Sequence, residues 1–360
     1  MAVYRRSSLI CLLIVAIVIL SGCGPQRGLR YQKYGSVGLK KVGIVLSSQG
    51  QGDSGSNDSV TAGVQQAAYD LDIDYKILAP KDLVSDQESL SYLAENYYDM
   101  VVAVGSGMTD GLADIAPQYP DVKFIMFDGE VEESNVTSVK IKEDDGAFLA
   151  GVEAALLTKT NLVGYIGDPV TTVTSIENSF VRGVQYVNST EGRQVRVKVS
   201  YTGVTDKAAK VVQLAQSLAD NFYMSGVDVI FSANQNVNRG VANSAIQNKM
   251  FSICDDIRLM NSTPSNVFGA VVKKEDAVIY ELAKQMVAEK LSSGRQGFGV
   301  AQGVVDFVLN QAVPEDVSAK VTAVKGQLKT GQVKPYAINV PEDIVDRVKQ
   351  NPPAATGDQQ

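Results

Sequence analysis

The feature that most constrains the fold is a regular alternation of short apolar runs and amphipathic segments that starts near residue 40. Lys40–Leu46 is a short run rich in β-branched residues, typical of a buried strand, and Asn57–Leu71 then has apolar residues at helical spacing. The same pattern predicts the strands Asp74–Leu78, Met100–Val104 and Lys123–Phe127 and the helices Leu83–Tyr97 and Thr109–Pro117. Because strands that alternate with helices pair in parallel and are covered on both faces, we predict an α/β fold.

The alternation begins again at an Ala-rich helix, Gly146–Thr158, and this predicts a second αβ unit of similar size. The further strands are predicted at Leu162–Gly167, Gln194–Tyr201, Val227–Ser232, Met250–Cys254, Val267–Lys273 and Gly299–Leu309. The further helices are predicted at Ile176–Asn188, Ala208–Ser225, Val237–Asn248, Asp276–Ser292 and Val317–Leu328. Two lobes suit an enzyme, which needs a catalytic constellation, or a binding protein, which needs only a cleft and a hinge.

Composition excludes several kinds of chemistry. The 360 residues contain no His, so a Ser-His-Asp or Cys-His nucleophile and a His-ligated metal site are impossible. The three Cys, at positions 11, 23 and 254, are too scattered for a zinc or iron–sulfur cluster. The formal net charge of −7, from 33 basic and 40 acidic side chains, argues against nucleic acid as the main partner. We therefore predict that the protein is no enzyme and uses neither a metal nor another cofactor.

The N-terminus has the features of a targeting segment. Arg5 and Arg6 precede an apolar run, Leu9–Leu20, that is too short to cross a bilayer. Leu20-Ser21-Gly22-Cys23 resembles the bacterial lipobox, although a plain secretory signal would also explain the segment. We predict a lipoprotein signal peptide over residues 1–22, an acylated Cys23, a flexible tether over 23–37 and a location on the extracytoplasmic face of the cell membrane.

Polar residues follow the predicted strands, and the carboxyl ends of parallel strands are where ligands bind in such sheets. Asp53, Gly105 and Asp128 follow strands of the first unit, and Asn234 and the pair Asp255-Asp256 follow strands of the second. Asp and Asn side chains suit a neutral polyol, amide or nucleoside-like ligand, although the same residues are also common in turns. Gly50-x-Gly52-x-x-Gly55 is only weak evidence for a dinucleotide, because no acidic residue closes the following strand.

One segment is distinctive enough to indicate a family. Residues 136–168, VTSVKIKEDDGAFLAGVEAALLTKTNLVGYIGD, resemble the basic membrane protein family of bacterial lipoproteins. Agreement extends to QYPDVKFIMFDG (118–129), GVDVIFSA (226–233), VVKKEDAVIYELAK (271–284) and LKTGQV (328–333). The similarity covers nearly all of residues 40–335.

The resemblance implies a two-lobed type I periplasmic-binding fold with three chain crossings. Residues 38–140 and 257–291 would form the first lobe, 141–256 and 292–340 the second, and 341–360 a C-terminal tail. It also implies a monomeric solute-binding lipoprotein that serves an ABC permease, usually for nucleosides. The family's ligand contacts fall at the positions Asp53, Asn57, Asp128, Lys273 and either Asp255 or Asp256, of which we prefer Asp256.

The chain also departs from the family pattern. Ser56 and, by our alignment, Ile176 stand where family receptors hold the base between two Phe side chains. Base–aromatic stacking contributes about 1–3 kcal/mol per base, so these changes predict a different small polar ligand or weaker nucleoside binding. The alternatives are a surface sensor or regulatory lipoprotein of the same fold, and an extracellular adhesin.

Overall fold

The computed structural model describes residues 38–53, 55–79, 82–168, 173–203, 207–262 and 264–348. The predicted signal peptide, the lipidated Cys23, the tether and the end of the predicted tail lie outside these residues. From Lys40 onward the chain forms one compact unit. None of the helices in the described part of the chain is long and apolar enough to span a membrane.

The secondary structure follows the predicted alternation closely. The strands are β1 Lys41–Val45, β2 Asp74–Leu78, β3 Met100–Val104, β4 Lys123–Phe127, β5 Val136–Ile141, β6 Leu162–Gly167, β7 Arg196–Tyr201, β8 Val229–Ser232, β9 Phe251–Cys254, β10 Val267–Lys273, β11 Gly294–Phe298, β12 Val305–Leu309 and β13 Val345–Arg347. The helices are α1 Ser56–Leu71, α2 Asp86–Glu95, α3 Thr109–Ile115, α4 Glu143–Leu157, α5 Val173–Glu191, α6 Ala208–Met224, α7 Gln235–Asn248, α8 Ile257–Met260, α9 Glu275–Val287 and α10 Glu315–Lys329.

These strands form two separate sheets. The first has the order β11-β5-β4-β3-β1-β2, and all of its pairings are parallel. The second has the order β12-β10-β9-β8-β6-β7-β13, and only the edge strand β12 runs antiparallel to its neighbour. The continuous apolar run of β3 is completely buried, as expected for a parallel strand covered by helices on both faces. The predicted α/β architecture of two parallel-dominated lobes is therefore confirmed.

The chain crosses between the two sheets three times, but two of the predicted boundaries are wrong. The prediction placed β10 in the first lobe and β11 in the second. In the structure β10 pairs with β9, because only the short helix α8 separates them, and β11 pairs with β5 after α9 has returned to the first lobe. The crossings lie at Lys142, at Lys274 and between β11 and β12. Backbone hydrogen bonds from Lys142 to Phe298 and from Lys274 to Val304 tie them together.

The C-terminal segment completes the second sheet. Val345–Arg347 pairs in parallel with β7, so the prediction of a tail beginning at residue 341 is wrong for this strand. Arg347 of this strand forms an ion pair with the buried Glu177 carboxylate, which also accepts from the Tyr201 hydroxyl. A charged group without water needs such partners, and the strand provides one.

Helices α4 and α5 pack closely enough that glycines are required at their contact. A Cβ at Gly151 would collide with the Phe180 carbonyl oxygen, and a Cβ at Gly183 with the Phe148 carbonyl oxygen. The obstacle is backbone in both cases, so a rotamer change cannot relieve it. The two helices therefore fix the core of the second lobe through a glycine-lined contact.

We expect Gly151→Ala to lower the free energy of unfolding by about 1–3 kcal/mol, because the added methyl group forces the two helices apart. Urea unfolding followed by circular dichroism measures this change. Gly326→Ala is the matched control, since Gly326 lies on α10 with open space around it. Ala is favoured over Gly in a helix by about 0.5–1 kcal/mol, so the control should be slightly more stable than the parent. Equal stability of the two variants would contradict the close contact.

Candidate functional site

A cleft of about 640 Å³ lies between the two sheets, at the carboxyl ends of their strands. Both lobes contribute polar side chains to it. The first-lobe wall consists of Ser47, Gln49, Asp53, Gly55, Ser56, Ser59, Val104, Gly105, Asp128 and Glu275. The second-lobe wall consists of Asn234, Gln235, Asn236, Asn238, Asp255, Asp256, Ile257, Arg258, Val271, Val272 and Lys273. The predicted residues Asp53, Gly105, Asp128, Asp256 and Lys273 thus all line one cleft.

Asn57, also predicted to contact the ligand, is fully buried beneath the cleft wall. Its amide nitrogen donates to Ser47 Oγ at 2.8 Å and to the Gly50 carbonyl oxygen at 2.9 Å. Its side-chain oxygen accepts from the Ser47 backbone N–H at 3.0 Å. These hydrogen bonds hold the loop after β1, and the ligand role of Asn57 stays a prediction.

Asp53 lies in the loop just before helix α1, which begins at Ser56. Its carboxylate accepts from the backbone N–H groups of Gly55 at 2.8 Å, Asn57 at 3.1 Å and Asp58 at 3.2 Å. Helix N-termini carry unpaired N–H donors and a partial positive charge, which a carboxylate satisfies. Asp53 therefore lines the cleft with oxygens that already have backbone partners.

Two cleft positions depend on left-handed backbone. Gly105 has φ +102°, and a Cβ there would lie 3.2 Å from the Ser47 Cβ, so the position suits glycine. Asp128 has φ +59°, a conformation that Asp tolerates better than most residues. This turn leaves the Asp128 carboxylate open to the cleft. The surrounding walls raise its pKa, with a further increase from Glu143 and opposing effects of Lys273 and Lys140.

Lys273, at the end of β10, is the central cation of the cleft. Its Nζ lies 3.1 Å from Glu143 Oε1, and its side chain is 27% exposed. Desolvation lowers the pKa of Lys273, but Glu143, Glu275 and Asp255 outweigh it and raise the pKa above its ordinary value. Glu143 begins α4 and Glu275 begins α9, so the charged centre lies beside two of the three crossings.

The structure distinguishes the two adjacent carboxylates that follow β9. Asp256, the preferred ligand contact, accepts from the Arg258 side chain at 2.8 and 2.7 Å and from its backbone N–H at 3.0 Å. Burial alone would raise the pKa of Asp256, but these hydrogen bonds hold it below the ordinary value. Asp255 accepts from the Asn238 amide, and burial raises its pKa. Both line the cleft, and Asp256 is the one committed to an internal ion pair.

The described residues that line the cleft include no aromatic side chain. Ser56 lies in the wall, as its alignment with a stacking position predicts. Ile176 is not among these cleft residues and packs on the hydrophobic core, so its assignment to the other stacking position stays a prediction. Residues 169–172, just before α5, lie outside the described part of the chain.

Sequence reasoning missed Glu143 and Glu275, which complete the charge cluster. The only signal for Glu275 was its place in the run Lys273-Lys274-Glu275-Asp276, where an interlobe crossing concentrates charge. The described residues contain no group of three or more side chains arranged to hold a metal ion. In the cleft Lys273 can donate hydrogen bonds, and several carboxylates can accept them.

The chain matches the family model of PnrA-like ABC transporter substrate-binding proteins over residues 40–336. It is 27% identical over 351 residues to a CD4+ T-cell-stimulating antigen of Listeria monocytogenes, covering 90% of this chain and 96% of the relative. It is 26% identical over 238 residues to the ABC transporter nucleoside-binding protein BmpA of Lactococcus lactis, covering 64% of this chain and 65% of the relative.

The fold is similar to a crystal structure of ABC transporter system solute-binding proteins from Aeropyrum pernix. The TM-score is 0.66 at 22% sequence identity, over 84% of this chain and 94% of the other. This similarity confirms the predicted two-lobed type I periplasmic-binding fold.

Proposed function

Since the chain belongs to the family of PnrA-like ABC transporter substrate-binding proteins, we propose that it captures a small polar, nucleoside-like solute in the cleft between its lobes. The observation that carries the proposal is the convergence of hydrogen-bonding side chains from both sheets on a cleft of about 640 Å³. A relative named as a nucleoside-binding protein supports this ligand class. Carboxylates accept hydrogen bonds from ligand hydroxyl and N–H groups, and the Lys273 ammonium donates one.

We further propose that the protein is anchored on the outer face of the cell membrane through acylated Cys23 and delivers its solute to an ABC permease. The lipobox-like segment before Cys23 supports the anchor, and the family description supports the transporter. Two or more acyl chains would hold the protein stably at a membrane. Mass spectrometry of the N-terminal peptide from detergent-extracted protein tests the acylation directly.

Capture would work by closure of the two lobes about the crossings at Lys142, Lys274 and residues 299–304. Asp128 belongs to the first lobe and Asp255 to the second, so a ligand that binds both holds the lobes together. A ligand shifts such an equilibrium by its greater affinity for the closed arrangement. The permease would then recognise the closed form, which distinguishes loaded from empty protein.

We expect Asp128→Ala and Asp255→Ala each to weaken solute binding about ten- to hundredfold, because each removes a charged acceptor from one wall. Calorimetric titration with a panel of nucleosides measures the affinities, after any retained ligand has been removed by unfolding and refolding and its absence checked by native mass spectrometry. Asp316→Ala is the control, since this exposed carboxylate on α10 does not line the cleft. Unchanged affinity in both cleft variants would show that the ligand binds elsewhere.

A further inference from the structure

The charges in the cleft do not balance. The Lys273 ammonium is shared by the carboxylates of Glu143, Asp128, Asp255 and Glu275, which all interact with it electrostatically. Arg258 is the other cation of the wall, and its guanidinium is held by Asp256 at 2.7 Å. The cleft therefore has more carboxylates than cations, and the net charge of this cluster is negative.

Glu275 is the strongest sign that a ligand group is needed. It is 2% exposed, yet it lines the cleft, and its Oε2 has no hydrogen-bond partner among the described residues. Its carboxyl group also interacts with the Ser56 hydroxyl, at the position where family receptors have a stacking Phe. A buried carboxylate oxygen without a donor is costly, so an arriving N–H group would remove a penalty as well as add a bond.

The helix ends that could attract an anion are already occupied. The N–H groups at the start of α1 bind the Asp53 carboxylate, those of α8 bind Asp256, and those of α7 bind the Asn234 side chain. Helix N-termini are the usual binding sites for phosphate, and here the chain fills three of them with its own oxygens. A phosphorylated solute would meet carboxylates where it needs donors.

We propose that the cleft selects solutes that carry a cationic amino group, which binds the Glu275 carboxylate in the cleft that Asp128 of the first lobe and Asp255 of the second also line. This inference rests on the proposed capture function and specifies the charge of the ligand. A protonated amine donates up to three hydrogen bonds, which matches the excess of carboxylates over cations. It also supplies positive charge to a cluster in which four carboxylates surround one ammonium group.

The test compares matched solutes of different charge on two scaffolds. The nucleoside set is adenosine, 5′-amino-5′-deoxyadenosine and adenosine 5′-monophosphate. The sugar set is glucose, 6-amino-6-deoxyglucose and glucose 6-phosphate. At pH 7.5 we expect the amino member of the accepted set to bind about ten- to hundredfold more tightly than its neutral parent, and the phosphate to bind more weakly than either.

Glu275→Gln should bring the affinities of the amino and neutral solutes close together, whereas Glu281→Gln, on the exposed face of α9, should leave their ratio unchanged. Burial raises the pKa of Glu275 to about 7, with increases from Asp128 and Glu143 and a decrease from Lys273. An amine bound at this carboxyl should therefore release a proton, detected as a binding enthalpy that depends on the buffer's ionisation enthalpy. The release should disappear in Glu275→Gln.

Each outcome separates the two proposals. A neutral parent that binds as tightly as its amino analogue overturns the charge inference and leaves solute capture intact. A preference for the amino sugar, with no nucleoside bound, supports the charge inference and rejects the nucleoside class. Binding by none of the six probes overturns both.

Discussion

Replacing Lys273 by Met should lower the free energy of unfolding by up to about 3–5 kcal/mol near pH 7.5, the range for an ion pair broken in a buried site. Breaking a buried ion pair from one side leaves an uncompensated charge, which is far more damaging than removing the whole pair. Here the Lys273 ammonium faces several carboxylates, with Glu143 at 3.1 Å, so the substitution leaves like charges facing one another. Methionine fills a similar volume, so the loss measures charge and not packing.

The loss of stability in Lys273→Met should increase with pH, which would identify charge as its cause. Burial raises the pKa of Asp128, Asp255 and Glu275, and Lys273 opposes the rise in each case. A carboxyl whose pKa is raised by folding contributes fully to stability below its unfolded pKa and loses that contribution as the pH rises through the folded pKa. Without Lys273 the pKa values of these three carboxyl groups rise further, because the charge that lowers them is gone. The variant should therefore be close to the parent near pH 4 and fall behind it through pH 7, where Glu275 titrates in the parent.

Urea unfolding at a series of pH values, followed by circular dichroism because the chain has no Trp, measures this difference. Lys274→Met is the matched control, since the neighbouring side chain is 48% exposed and its Nζ lies 3.8 Å from Asp306. Exposed ion pairs contribute about 0–1 kcal/mol, so this control should stay near the parent. An equal loss at pH 4 and pH 7.5 in Lys273→Met would point to packing instead of charge.

The periodicity of the sequence was sufficient to predict strands and helices, but it did not show which strands belong to which sheet. Apolar runs such as Met100–Val104 can only be buried strands beside amphipathic helices, so the α/β architecture follows from local pattern. Which sheet receives a strand depends on partners far away in the chain. β10 and β11 were exchanged for this reason, because the pairing of β11 with β5 joins residues more than 150 positions apart.

The sequence predicted which residues line the cleft where they directly follow a strand, because the carboxyl ends of the strands meet there. Asp128 and Lys273 lie in the cleft because their strands end there, and a polar residue after a buried strand is visible in the sequence. The role of each side chain was not visible, since Asn57 and Asp53 satisfy their own loops and helix. Glu275 shows most clearly what the sequence alone could not predict. It begins a helix, which is ordinary for Glu, and only the approach of Ser56 and the crossing beside it turns this residue into a buried acceptor.

A second buried carboxyl group, that of Glu153 on α4, lies away from the cleft and affects the stability of the second lobe. It is completely buried, and neither carboxyl oxygen has a hydrogen-bond partner within the described residues. Its side chain packs closely against Gly269, and the Phe307 ring approaches the same face of this glycine. Burial raises its pKa well above the ordinary value of 4.5, which favours the neutral form of the carboxyl group.

Glu153→Met should stabilise the protein at every pH and most strongly in alkali. Removing an unpaired buried polar group is worth about 1–3 kcal/mol, even where the carboxyl is neutral. The contribution of Glu153 is fully present below pH 4.5 and is lost as the pH rises towards the folded pKa, so the gap should widen by about 1.4 kcal/mol per pH unit in that range.

Glu153→Gln separates charge from polarity, because the amide keeps the shape and the unpaired polar atoms but cannot ionise. Its stability should show the flatter pH dependence of Glu153→Met without the gain at acid pH. Urea unfolding between pH 4.5 and 9 measures both variants, and Glu281→Gln, a 47% exposed position, controls for the loss of one charge. If both Glu153 variants kept the slope of the parent, the carboxyl would have to be ionised and paired in the folded protein. If the two variants instead differ in stability at acid pH, and if the stability of both falls less steeply with pH than that of the parent, α4 carries a neutral acid. Ionisation of this acid then limits the stability of the second lobe.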